Sequence, residues 1–75
     1  MRLSEFWLAV SDEFGSDYGR VLTQDLTLGD IGGLTAQQGI DSGIPTREIW
    51  LALCAAMDVP QQRRHGVGQR EPKKI

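Results

Sequence analysis

Apolar side chains at Leu3, Phe6, Trp7, Val10 and Phe14 recur at helical spacing. At about 3.6 residues per turn they fall within an arc of roughly 100°. This predicts an amphipathic first helix, with Ser4 as its cap, Asp12 and Glu13 facing away from the stripe, and Gly15 placed to end it in a left-handed conformation. Leu8 lies on the far side of the helix. Ser16 and Asp17 then read as caps for a second helix running to about Leu28, with Tyr18, Val21, Leu22 and Leu26 on one face and Asp25 inside that face.

Three glycines in Gly29-Asp30-Ile31-Gly32-Gly33 break the second helix and require a sharp turn, from which Leu28 and Ile31 still reach the core. Thr35-Ala36-Gln37-Gln38 matches a capping box, in which the Thr hydroxyl and the Gln amide each satisfy a backbone N–H that the helix leaves free. A short third helix is expected from there to about Ser42, stopped by Gly43. Pro45 is placed to start a fourth, which runs through Ile49, Trp50, Leu53, Cys54 and Met57 to the stop at Asp58-Val59-Pro60. From Ile49 to Met57 the fourth helix has no polar residue, so it is either central in the bundle or covered by another chain.

The chain of 75 residues has room for one domain. At this size folding buries only about 60% of the surface exposed by the unfolded chain, so stability is small. An apolar content of 40%, with two Trp, two Phe and one Tyr, suffices for a single core. The expected class is all-α: a small bundle of about four short helices over residues 1–60, followed by a flexible basic tail over 61–75.

The net charge of −2 conceals a polarity along the chain. Residues 1–60 hold three arginines against nine acids, a net of −6, whereas residues 61–75 hold five bases against Glu71, a net of +4. An acidic body repels phosphate backbones, so any nucleic-acid contact must concentrate in the tail or on one locally positive face.

The candidate chemistry is sparse. A single cysteine, Cys54, allows no internal disulfide and fits a reducing, cytoplasmic setting. One His in the tail and one Cys in an apolar helix supply too few ligands for a metal site, and neither a metal nor another cofactor is expected. Apolar neighbours raise a thiol pKa rather than activate it, which argues for Cys54 as a packing residue and against a nucleophile. The glycine-rich turn has no Lys-Ser/Thr after it and no strand pattern before it, as a phosphate loop would require. No acid–base pair is apparent and the chain is not read as an enzyme. The apolar run from Ile49 to Met57 is too short to span a membrane, and the N-terminus, with Glu5 and no long apolar segment, does not read as a signal peptide. Asp25, within an apolar face, must be capped by amides at the start of the third helix, paired with Arg2 or Arg47, or partly exposed.

Two constellations point towards binding. The fourth helix offers a candidate protein interface at Trp50, Leu51 and Cys54, serving a homodimer or another protein, against the alternative that these residues are simply buried. Residues 35–54 also fit a helix–turn–helix spacing, with Gly39 at the fifth position, Gly43 at the ninth in the turn, and Ile44, Ile49 and Ala52 filling core positions. Gln38 and Ser42 stand where such motifs are usually apolar. Arg47, with Arg63 and Arg64 from the tail, is the candidate nucleic-acid contact set.

The segments Met1-Arg2-Leu3-Ser4-Glu5-Phe6-Trp7, Asp12-Glu13-Phe14-Gly15, Asp25, Ile31-Gly32-Gly33 with Thr35, and Glu48-Ile49-Trp50-Leu51-Ala52-Leu53-Cys54 through Asp58-Val59-Pro60 together resemble one family over residues 1 to about 64. It is a family of short actinobacterial proteins of unknown function, whose genes often lie near those of the recombinase RecA and its regulator RecX. The resemblance implies a compact helical protein with a link to DNA repair or recombination, and it carries no catalytic residues. Leu34 stands where an Arg commonly follows the paired glycines, and Gly39 replaces a usual Ala. The first departure removes a positive charge beside the helix–turn–helix.

The expected function is a non-enzymatic interaction or regulatory module that self-associates through residues 49–57. The alternative is a nucleic-acid-associated protein using the helix pair at 35–57 and the basic tail.

Overall fold

The computed structural model describes residues 1–64. Four helices, α1 (Leu3–Phe14), α2 (Ser16–Asp25), α3 (Ala36–Asp41) and α4 (Thr46–Ala56), carry the chain. A two-stranded antiparallel clip, β1 (Thr27–Leu28) with β2 (Leu34–Thr35), links α2 to α3, and 3₁₀ turns occupy Gly29–Ile31 and Gln61–Arg63. The class is all-α, as the periodicities require.

The cap of helix α1 lies two residues before the expected Ser4. Arg2 is the extended N-cap residue, and its N–H donates to the Glu5 carboxylate at 2.9 Å, which also sets a negative charge in the first turn of the helix. Gly15 both ends α1 and starts α2: its N–H donates to the Ser11 carbonyl, while its own carbonyl accepts from Gly19. This one-residue corner requires φ +88° and ψ 154°, a region open essentially to glycine alone.

The corner lays α2 back against α1 through a contact with no side chain on one side. A Cβ on Gly19 would stand 2.6 Å from Val10 Cγ1. The buried face of α2 is Gly19, Leu22 and Thr23, not the expected stripe through Tyr18 and Val21, both about half exposed. Thr23 is fully buried because its hydroxyl donates to the Arg20 carbonyl one turn back. The helix also stops at Asp25, not at Leu28, because Leu26 turns extended and Thr27 and Leu28 pair with Thr35 and Leu34.

The clip positions Thr35 to cap α3. Its hydroxyl accepts from the Gln38 N–H at 3.1 Å and its N–H donates to Gln38 Oε1 at 2.9 Å, the reciprocal pair expected from the sequence. Helices α3 and α4 each end in the same paired-bond turn. After α3, the Ile44 N–H reaches the Gly39 carbonyl and the Gly43 N–H the Ile40 carbonyl, with Gly43 at φ +88°. After α4, the Val59 N–H reaches the Cys54 carbonyl and the Asp58 N–H the Ala55 carbonyl, with Asp58 at φ +58°. The second turn directs Val59 back into the core, where it is 3% exposed.

Trp50 lies at the centre of the core. Its ring meets Phe6 edge-on at 6.4 Å between centroids and Phe14 at 6.5 Å, so one residue of α4 closes on both ends of the α1 stripe. Phe6, Leu28, Ile49, Leu53 and Cys54 complete the deepest layer, and Trp7 stacks edge-on against Phe6 while remaining partly exposed. The N-terminus is tied in as well: the Thr46 hydroxyl donates to the Met1 carbonyl at 2.5 Å.

Candidate interaction site

Helix α4 divides its residues by face. Ile49, Trp50, Ala52, Leu53 and Cys54 are buried, whereas Arg47, Glu48, Leu51 and Ala55 form the exposed side. Of the three residues proposed from sequence as an interface, Trp50 is 2% and Cys54 0% exposed, so neither is presented on the surface of the folded chain. The physical reason is that α1, α3, β1 and the 3₁₀ turn at Gly29–Ile31 together cover more of this helix than four short elements were expected to. Leu51, 37% exposed, is the one of the three that is presented.

The residues after Pro60 were read as tail from their first position, and 61–64 depart from that reading. The 3₁₀ turn Gln61–Arg63 folds back towards α1, where the Arg63 guanidinium holds one oxygen of Glu13 through Nη2 at 2.7 Å and Nε at 3.1 Å. Arg64 donates from Nε to the Val59 carbonyl at 2.7 Å, and its own carbonyl accepts from the Trp50 indole N–H at 2.5 Å. Two of the three arginines proposed for nucleic acid are therefore engaged in closing the fold. The rest of the expected tail, 65–75, lies outside the described residues. Arg47 is exposed and forms no ion pair among the described residues.

Nothing local announced these contacts. Glu13 and Arg63 are 50 positions apart, and their charges resemble any solvated pair in the sequence. The available signal was Val59, an apolar residue just after a helix-ending turn, which marks a chain still in contact with the core.

Three positions of the helix–turn–helix spacing have structural counterparts. Gly39 is buried, and a Cβ there would meet Ile31 Cδ1 at 3.0 Å and Ile49 Cδ1 at 3.2 Å. Gly43 makes the left-handed turn, and Ile44 packs on the core. The surface chemistry is less suited to phosphate, because Asp41, Glu48 and Asp58 share the exposed surface of the pair with Arg47.

Asp25 is exposed at the C-terminal end of α2, so the buried capping or pairing role expected for it does not arise. Its supposed apolar face is the exposed one, carrying Tyr18 and Val21. Burial pushes the Cys54 thiol up to about 11, with smaller influences from Arg64, which lowers it, and from Glu13, which adds to the rise. Such a thiol is a packing group at neutral pH. Among the described residues, no group of three or more His, Cys, Asp or Glu side chains is placed to hold a metal ion, and no helix is long and apolar enough to cross a membrane.

Residues 1–62 match the family described as protein of unknown function DUF3046. The chain belongs to this family. No curated protein and no solved structure matches it. The DUF3046 match ends within the Gln61–Arg63 turn, so almost the whole described body, α1 through that turn, is the family's shared unit.

Proposed function

We propose that this chain is a non-enzymatic interaction or regulatory module that self-associates through the exposed side of α4, centred on Leu51. The observation that carries the reading is the set of large apolar side chains left outside a small body: Leu3, Leu8, Tyr18, Val21 and Leu51 stand 37–54% exposed. Leu51 is the one on α4, whose other large apolar side chains, Ile49, Trp50 and Leu53, form the core. Beside it, Ala55 one turn on leaves room for close approach, and Arg47 and Glu48 one turn back supply both charges for registration.

Sedimentation velocity across a concentration series tests this. The wild type is expected to show concentration-dependent association that Leu51→Glu abolishes while helical content is retained. A wild type that stays monomeric throughout refutes self-association.

A second reading follows from the helix–turn–helix geometry at Gly39 and Gly43 and from exposed Arg47 on the first turn of α4: a nucleic-acid-associated protein that also uses bases beyond residue 64. It requires salt-dependent binding to DNA, with Arg47→Gln reducing the salt slope by about one phosphate contact. Absence of binding at low salt eliminates it. The actinobacterial origin and RecA–RecX gene neighbourhood implied by the family resemblance belong to this proposal, as does a cytoplasmic setting, which the free Cys54 supports.

A further inference from the structure

We infer that residues 60–64 form a strap that opens independently of the helical body and, in opening, uncovers Trp50. The inference concerns a different surface from the Leu51 face and stands apart from the self-association reading.

The strap is joined to the body by contacts of two unequal kinds. At its root, Val59 is buried and its N–H is fixed by the Cys54 carbonyl, so the chain up to that point is part of the core. Beyond the root, Pro60, Gln61, Gln62 and Arg63 are all exposed, and Arg64 is partly so. No apolar side chain anchors this stretch. What holds it is the ion pair from Arg63 to Glu13, the indole bond to the Arg64 carbonyl, and the return bond from Arg64 Nε to Val59. The Glu13 side chain is 16% exposed but that of Arg63 is 59% exposed, so the pair is open to solvent on the strap side and sensitive to salt.

Segments with few buried apolar contacts and solvent-accessible polar ties open at lower free energy than the core to which they attach. Beneath this strap is the residue that joins α4 to both ends of α1. Lifting the Arg64 carbonyl frees the Trp50 indole N–H, a donor that must then find another acceptor, and bares a ring lined by the edges of Phe6 and Phe14. An aromatic residue that is core when the strap is closed becomes an exposed aromatic contact when it opens.

Hydrogen exchange of the Trp50 indole N–H on the full chain tests this, with Trp7→Phe used to assign its signal. The expected protection factor is at least tenfold below those of the Leu53 and Cys54 backbone amides and falls further with added salt. Glu13→Gln should lower indole protection severalfold more while leaving those amides unchanged. Equal protection of the indole and the α4 amides, or a Glu13→Gln variant that shifts both together, would mean that the indole is released only by global unfolding and would overturn the inference.

Discussion

Replacing Gly19 by Ala should destabilise the protein, although the same change in an open helix stabilises. Alanine is favoured over glycine in a helix interior by about 1 kcal/mol. Here the added Cβ would sit 2.6 Å from Val10 Cγ1, about an ångström inside ordinary contact, and Val10 is itself 3% exposed within the packed core. Overpacking of this kind costs about 1–3 kcal/mol, and the size of the overlap puts the cost near the upper end, leaving a net loss of about 2 kcal/mol. For a domain of this size that lowers the melting temperature by about 8–16 °C. Val10→Ala alone should cost about 2–3 kcal/mol through lost burial and residual cavity. In that background the clash is gone, so adding Gly19→Ala should now stabilise by about 1 kcal/mol. A urea-denaturation double-mutant cycle reads the coupling directly, at about 3 kcal/mol. If Gly19→Ala is neutral or stabilising in the wild type, or if the two changes add, the close approach of α1 and α2 is not what fixes glycine at this position.

Other positions give sharp expectations. Asp58→Gly should raise stability by about 0.5–1 kcal/mol, seen as a higher thermal midpoint, because Asp58 holds φ +58° in a turn that glycine makes without steric cost. Thr35→Ala should cost about 1–2 kcal/mol in urea unfolding, with Thr35→Ser recovering most of it, since the hydroxyl satisfies the Gln38 N–H in a nearly buried cap. The Cys54 thiol, at about 11 in the fold against 9.0 for the unperturbed group, binds its proton more tightly when folded. Its stabilising effect is therefore complete below pH 9 and lost as pH rises towards 11. Stability measured over that window should fall more steeply in the wild type than in Cys54→Ala, and identical slopes would refute this assignment.

The parts of the fold legible in the sequence are those in which local chemistry and periodicity agree. The Thr35–Gln38 box, the Gly43 turn and the α1 stripe each rest on residues within a few positions of one another; the first two occur as expected, and the stripe does so from Phe6 onward, Leu3 standing exposed. The buried face of helix α2 is not legible because its burial contact is made by an absent side chain: Gly19 carries no apolar signal, while Tyr18 and Val21 carry a strong one on the solvent side. The clip of two-residue strands was invisible, since its pairing depends on where Gly32 and Gly33 turn the chain. At the candidate site, Leu51 was named together with two neighbours that are core, because a helix without polar residues gives no clue to which side a partner element covers. The strap escaped for the opposite reason, being polar throughout and held across 50 positions.

The placement of Trp50 has a consequence for biosynthesis. Among the described residues, six of the twelve buried apolar ones, from Ile49 to Val59, are translated after α1, α2 and α3 are already complete. Until they emerge, the apolar stripe of α1 lacks the Trp50 ring that Phe6 and Phe14 pack against, so the core cannot close helix by helix in the order of synthesis.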